Sequence, residues 1–102
     1  MAMLHTVNKS PFERDALSSC LKHAVTGSSV LLIEDGVVAA LDNTAIADQV
    51  KGAMNDVSVF VLGEDLKARG LGEDKLIDGV TVVDYSGFVD LATKNDKVQS
   101  WL

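Results

Sequence analysis

The single cysteine of the chain, Cys20, is the side chain best suited to nucleophilic chemistry. A reactive thiol needs a stabilised thiolate, which a helix N-terminus or nearby positive charge supplies. If Pro11 is the first helical residue, Cys20 lies nearly three turns into the helix, where the effect of the helix dipole has faded. His23, three residues further on, is the only plausible helper along that helix. Helix geometry alone therefore favours a buried, inert cysteine over a reactive thiol.

The segment Asn8–Lys9–Ser10 is a candidate anion site, because it follows the first apolar run of the chain. Its backbone N–H groups, together with Lys9 and Arg14, could receive an anion beyond the carboxyl end of a strand. The sequence contains neither GxGxxG nor GxxxxGK[ST], so a nucleotide site has no support. We expect a plain capped turn here, with anion binding as the alternative.

The histidines and the acidic pairs are the remaining candidates for chemistry. His5 and His23 are far apart and have no carboxylate or thiol at ligand spacing, so we expect no metal site and a hydrogen-bonded structural role for His5. The pairs Glu34–Asp35 and Glu64–Asp65 follow two apolar runs, where carboxylates can perform acid–base or Mg²⁺ chemistry. Such pairs more often cap the next helix and face solvent, which we expect for them and for Asp84. No cofactor is expected.

Four apolar runs predict the strands that must position these residues. They are MLHTV (Met3–Val7), SVLLI (Ser29–Ile33), VSVFVL (Val57–Leu62) and VTVVDY (Val80–Tyr85). Their near-continuous hydrophobicity is typical of parallel strands that are covered on both faces. Segments with helical periodicity separate them, which predicts an α/β layer fold with right-handed crossovers.

The first helix has the clearest boundaries. Ser10 is a natural N-cap, Pro11 suits the first helical position, and Glu13 completes an S-x-x-E capping box. Gly27 lies where a C-terminal cap is expected. The apolar face of this helix comprises Ala16, Leu17, Cys20, Leu21 and Ala24.

Three further helices are predicted from periodicity and punctuation. They are Asn43–Met54 with Asn43 or Thr44 as cap, a short turn at Glu64–Arg69 closed by Gly70, and Ser86–Thr93 capped by Ser86. The chain then ends with Val98, Trp101 and Leu102. This tail is too apolar to remain in water, so we expect it to dock on this subunit or on a neighbour.

The composition predicts one globular domain over residues 1–102, since 47% of the residues are hydrophobic. The net charge is −6 and the nine basic residues are scattered, which disfavours direct binding to nucleic acid or to an anionic membrane surface. One cysteine allows no internal disulfide. We find no pattern for a signal peptide or a membrane span, and expect a soluble cytoplasmic protein.

Four segments, read in order, resemble the DsrH/TusB family over nearly the whole chain. They are LHTVNKSPFERDALSSCL, VLLIEDGVVAAL, LGEDLKARGL and VVDYSGFVDLATKNDKVQSWL. The resemblance implies a three-layer α/β/α sandwich with a central, mainly parallel sheet. It also implies a small subunit of the DsrEFH and TusBCD complexes, which pass sulfur as a cysteine persulfide.

The resemblance implies specific partners as well. These are a DsrE/TusD-like and a DsrF/TusC-like subunit, in a heterohexamer with two copies of each, and a DsrC/TusE-like sulfur carrier. The Tus branch serves 2-thiouridine formation at the tRNA wobble position, whereas the Dsr branch serves sulfur oxidation. Because the DsrH type carries a cysteine in the first helix that TusB proteins often lack, Cys20 indicates the Dsr branch.

Two hypotheses about Cys20 remain open at this point. In the first, the chain is an assembly subunit, and the main sulfur-carrying cysteine belongs to the DsrE/TusD partner, as the resemblance implies. In the second, Cys20 itself accepts a persulfide and hands it on by thiol exchange. A third hypothesis is an anion- or nucleotide-binding module that uses Asn8–Lys9–Ser10.

Overall fold

The architecture is a five-stranded, wholly parallel sheet with helices between the strands. The computed structural model describes residues 3–13, 15–95 and 97–101. The strands are β1 (Met3–Val7), β2 (Ser29–Leu32), β3 (Ser58–Leu62), β4 (Thr81–Val83) and β5 (Lys97–Trp101). The helices are α1 (Ala16–His23), α2 (Ala47–Ala53), α3 (Gly63–Ala68) and α4 (Tyr85–Lys94), with 3₁₀ segments at Glu34–Ala40 and Glu73–Lys75.

The strand order is β4-β3-β2-β1-β5, so the chain builds the sheet outward from β1 and then returns to its other side. Three successive crossovers move in one direction, and the crossover through α4 moves back. Because parallel crossovers are right-handed, α1, α2 and α3 lie on one face and α4 on the other. The predicted α/β/α architecture with a parallel sheet is therefore confirmed.

The main core lies between the sheet and the helical layer that contains α1. Alternate strand residues point into it, and the register places Val7 beside Leu32, and Leu32 beside Val61. Leu17 and Cys20 of α1 complete this cluster. The intervening residues Leu4 and Leu31 are also fully buried, so both faces of the central strands are covered. This double burial explains the near-continuous apolar runs of the sequence.

The last third of the chain has regular structure but little burial. None of the described residues from 78 onward is buried. Tyr85 and Val89, one turn apart on α4, expose 57% and 61% of their surfaces. Exposed large apolar side chains that are grouped on one element are typical of a contact surface. Within the described ranges, no helix has the length and apolar character needed to cross a membrane.

The first helix begins later than predicted. Residues 10–13 form a turn in which the N–H of Glu13 donates to the Ser10 carbonyl at 3.1 Å and that of Phe12 to Ser10 Oγ at 3.2 Å. The prediction of a capping box at Ser10 is thus wrong, because α1 starts at Ala16. Packing of α1 against the sheet outweighs the local cap signal at Ser10. Cys20 is therefore the fifth helical residue rather than nearly three turns in.

The C-terminal boundary of α1 also differs from the prediction. The helix ends at His23, and Ala24 is its C-cap, whose N–H donates to the Cys20 carbonyl at 2.8 Å. Gly27 instead has a positive φ of 91° and donates its N–H to the Asp56 carbonyl. Gly27 therefore does occupy a position that favours glycine, but this position lies in the turn into β2 and not at the helix cap.

The second helix is shorter than predicted, and neither Asn43 nor Thr44 caps it. Asn43 has a left-handed φ of 61°, which an N-cap residue does not adopt. The helix begins at Ala47. The short helix before Gly70 is confirmed as α3, and Gly70 has a positive φ of 68°. The apolar tail docks on this chain, since β5 pairs with β1 along its whole length. Leu102 lies outside the described residues.

Helix α4 is capped by Asp84 rather than by Ser86. The Asp84 carboxylate accepts the N–H of Gly87 at 2.8 Å. We expect Asp84→Ala to lower the free energy of unfolding by about 1 kcal/mol, which urea denaturation measures. Ser86→Ala is the matched control, and it should change that free energy little. Equal losses in the two variants would contradict the assigned cap.

Candidate functional site

Cys20 lies on the inner face of α1 and is fully buried. It belongs to the same apolar cluster as Leu17, Val7 and Val30. Burial raises the pKa of the Cys20 thiol to about 12, because an ionised sulfur would lose its hydration. In this conformation Cys20 is a neutral thiol without access to a reaction partner, so it behaves as a small apolar core residue.

His23, the predicted helper of Cys20, is engaged elsewhere. Its ring Nδ1 donates to the Ser19 carbonyl at 2.7 Å, one turn back along α1. The side chain is exposed and its ring centroid lies 6.0 Å from that of Trp101. The imidazole is therefore bound to the helix backbone and gives the thiol no base in this arrangement.

His5 has the hydrogen-bonded structural role that the sequence predicts. It is 3% exposed in the middle of β1, and its Nδ1 accepts the indole N–H of Trp101 at 3.0 Å. Burial lowers the pKa of His5 below its ordinary value. The sequence did not identify Trp101 as the partner of His5, because the two residues are 96 positions apart.

The Asn8–Lys9–Ser10 loop leads into a turn at residues 11–13, as the sequence favours. Ser10 is used in the turn that precedes α1, and Arg14 lies outside the described residues. Gly36 packs directly on the start of the loop, because a Cβ at that position would overlap the Val7 carbonyl group. The loop is a tightly packed turn at the carboxyl end of β1.

The acidic pairs meet at the carboxyl ends of β2 and β3, where Arg69 joins them. Its guanidinium donates to Asp35 Oδ1 at 2.9 Å and lies 3.9 Å from Asp65. The Asp65 carboxylate also accepts the N–H of Glu34 at 2.7 Å. Glu34 has a left-handed φ of 49°, so this bond holds an uncommon backbone conformation. Glu34, Asp35 and Glu64 face solvent as predicted, but neither pair caps the segment that follows it with a side chain. The carboxylates of Asp35 and Asp65 instead bind Arg69 and the backbone of Glu34.

A cleft of about 230 Å³ lies beside this cluster, at the carboxyl ends of β3 and β4. Its rim carries Glu64, Glu73, Asp84 and Lys67 over an apolar floor that includes Val82. Asp84 is already used as the cap of α4. Across the described part of the chain, no three His, Cys, Asp or Glu side chains are grouped as metal ligands.

Comparison with solved structures identifies proteins that share this fold. The ychN protein from E. coli superposes with a TM-score of 0.83 at 19% identity, covering 98% of each chain. A protein of unknown function from Methanobacterium thermoautotrophicum superposes with a TM-score of 0.77 at 17% identity, covering 97% of each chain. At these identities the likeness shows a shared fold alone.

Comparison of sequences gives the family. The family model described as DsrH like protein matches residues 9–98. The chain is 42% identical to Protein TusB of Erwinia tasmaniensis over 99 residues, which is 97% of this chain and all of that protein. It is 38% identical to Protein TusB of Yersinia pestis over 100 residues, again 97% of this chain and all of the relative. The chain therefore belongs to the DsrH/TusB family, the sulfur-relay subunits that its sequence resembles.

Proposed function

We propose that this chain is a TusB-type subunit of a sulfur relay that supports 2-thiolation of the tRNA wobble uridine. The observation that carries the proposal is similarity to proteins named TusB over the full length of both chains. Its partners are a TusC-like and a TusD-like subunit, and a TusE-like carrier receives the sulfur. The chain acts mainly through assembly, while a cysteine of the TusD-like partner carries the persulfide.

The distribution of apolar surface supports a role in an assembly. From residue 78 onward the described residues are regularly folded yet none is buried, and α4 exposes Tyr85 and Val89. Burial of these apolar groups against another chain lowers the free energy, because it removes them from water. The net charge of −6 keeps the surface away from phosphate backbones, which suits a relay that hands sulfur to protein carriers.

Cys20 is, in this proposal, a core residue. Thiol exchange requires a thiolate that can reach the outer sulfur of the donor persulfide. The Cys20 thiol has no exposed surface and a pKa near the upper end of the thiol range, at about 12. The hypothesis that Cys20 carries a persulfide stays a prediction, and it requires α1 to move away from the sheet or from β5.

A second candidate function is a DsrH-type subunit that passes sulfur toward a DsrC-like carrier in sulfur oxidation. Two observations favour it: the family model that matches residues 9–98, and the presence of a cysteine in α1. The two candidates share the fold and the assembly, and they differ in the acceptor. Transfer to a TusE-like carrier with thiolated tRNA as product favours the first. Transfer to a DsrC-like carrier without tRNA thiolation favours the second.

The test of the assembly role uses the reconstituted complex loaded with sulfur from a cysteine desulfurase. Persulfide is mapped by mass spectrometry on the wild type and on complexes carrying Cys20→Ala. We expect undiminished loading of the TusD-like subunit, undiminished transfer and no persulfide on Cys20. Leu17→Ala is the control, since it removes another core side chain of α1 and leaves the thiol itself present.

The outcomes of this experiment are distinct. If Cys20→Ala stops transfer while the more core-disrupting Leu17→Ala does not, the thiol itself is required and the assembly-only role is wrong. If neither variant affects transfer, the assembly role stands. Omitting this chain should abolish transfer, whereas full transfer by the sister subunits alone would contradict the proposed function.

A further inference from the structure

The end of the C-terminal strand is anchored by one side chain. Trp101, the only tryptophan of the protein, donates its indole N–H to His5 Nδ1 at 3.0 Å. Its ring centroid lies 6.1 Å from that of His5 and 6.0 Å from that of His23. The indole therefore joins β5 to β1 and to the end of α1.

The direction of this hydrogen bond fixes the protonation state of His5. Indole nitrogen only donates, so Nδ1 of His5 must be unprotonated to accept. The proton of the neutral ring is therefore on Nε2, which is buried and has no partner among the described residues. Protonation of His5 places a second N–H at Nδ1, directly opposite the indole N–H. The anchoring bond is then lost and two donors face each other.

The surroundings of His5 offer little to stabilise a positive charge. Strand β2, which pairs with β1 on one side, contains no titratable residue. Strand β5 on the other side contributes Lys97, and α1 contributes Cys20, Lys22 and His23. None of these elements carries a carboxylate, and none of the ion pairs in the described part of the chain includes His5. Among the described residues of these elements, no carboxylate compensates a protonated His5.

Apart from this anchor and its backbone pairing with β1, β5 is weakly held. Its first four residues are exposed and Trp101 is half-buried. The one further side-chain bond to β1 joins Thr6 Oγ1 to Ser100 Oγ at 3.3 Å. Segments that bury few apolar groups open locally at a fraction of the global unfolding free energy. Loss of the indole bond can thus free β5 without unfolding the core.

We propose that His5 and Trp101 form a proton-sensitive latch, in which protonation of His5 releases β5 and uncovers the edge of β1 while the rest of the sheet remains folded. Burial lowers the pKa of His5 in the closed state from the ordinary 6.5. The opened state then binds more protons than the closed state, so closure weakens as pH falls. The stabilisation by neutral His5 is complete above pH 6.5 and is lost progressively between 6.5 and the lowered pKa.

The single tryptophan makes the latch directly observable. Trp101 fluorescence and far-UV circular dichroism are followed from neutral to mildly acidic pH on the full chain. We expect a red shift of the emission with the steepness of a single proton and a midpoint below 6.5, while the helical signal persists. His5→Gln should abolish this transition, and His23→Gln, the control at the second histidine beside the indole, should retain it.

A second measurement keeps the proposal testable if His5→Gln does not fold. Histidine proton NMR gives the pKa of His5 in the wild type and in Trp101→Phe, a substitution at the half-buried end of an edge strand. The pKa of His5 should rise in Trp101→Phe, because the lost donor no longer stabilises the neutral ring. The latch is refuted if the emission shift survives His5→Gln, if it coincides with global unfolding, or if Trp101→Phe leaves the pKa of His5 unchanged.

Discussion

Gly36→Ala is expected to destabilise the fold by about 3 kcal/mol. A Cβ at this buried position would overlap the carbonyl group of Val7 and approach Asn8 Cα at 3.5 Å. The obstacle is backbone at the carboxyl end of β1, and the Val7 oxygen already accepts the Ile33 N–H at 3.0 Å. Neither group can move without disturbing the centre of the sheet. Urea denaturation of the full chain measures the loss.

Gly52→Ala is the matched control for this prediction. Gly52 lies within α2, and a Cβ there meets no atom within 4 Å. Alanine should therefore stabilise that helix by about 0.5–1 kcal/mol, since glycine carries a larger backbone entropy cost. If Gly36→Ala were as stable as the wild type, the close approach of the loop after β2 to β1 would be incorrect.

Cys20 should react with iodoacetamide far more slowly in the folded chain than in the unfolded chain. Its thiol has a pKa of about 12 in the fold, whereas the pKa of a free cysteine is about 8.5. At about pH 8 this difference leaves about a thousandfold less thiolate, and the absence of exposed surface slows the reaction further. Alkylation followed by mass spectrometry, with and without urea, gives both rates.

The same experiment distinguishes a core thiol from a carrier. A folded chain that is alkylated as rapidly as the urea-treated chain would contradict the buried environment of Cys20. Repeating the reaction on the assembled complex asks whether sister chains open this region. Protection that persists in the complex supports the assembly role, whereas strong acceleration there would favour Cys20 as a sulfur carrier.

The strands could be predicted from the sequence because burial on both faces leaves a continuous local signal. Runs such as SVLLI and VSVFVL correspond to β2 and β3 with one residue of difference at an end. The inner face of α1 was predictable for a similar reason, since Ala16, Leu17 and Cys20 follow helical spacing. The helix ends are harder to predict from their short polar sequences, because packing against the sheet determines where each helix begins.

The features that the sequence did not predict depend on distant residues. Ser10 and Ser86 have side chains suited to capping, yet α1 starts at Ala16, and of the two capping candidates before α4 it is Asp84 that forms the cap. The Trp101–His5 bond joins the two ends of the chain, so it appears only once β5 pairs with β1. Arg69 likewise bridges Asp35 and Asp65 only because the ends of β2 and β3 are neighbours.

The central claim is that this chain acts as a subunit among sister chains. Native mass spectrometry after co-expression with TusC-like and TusD-like subunits tests it most directly. We predict a single assembly that contains all three chains and persists at micromolar concentration. A monomer of this chain beside an assembly formed by the other two would contradict the account.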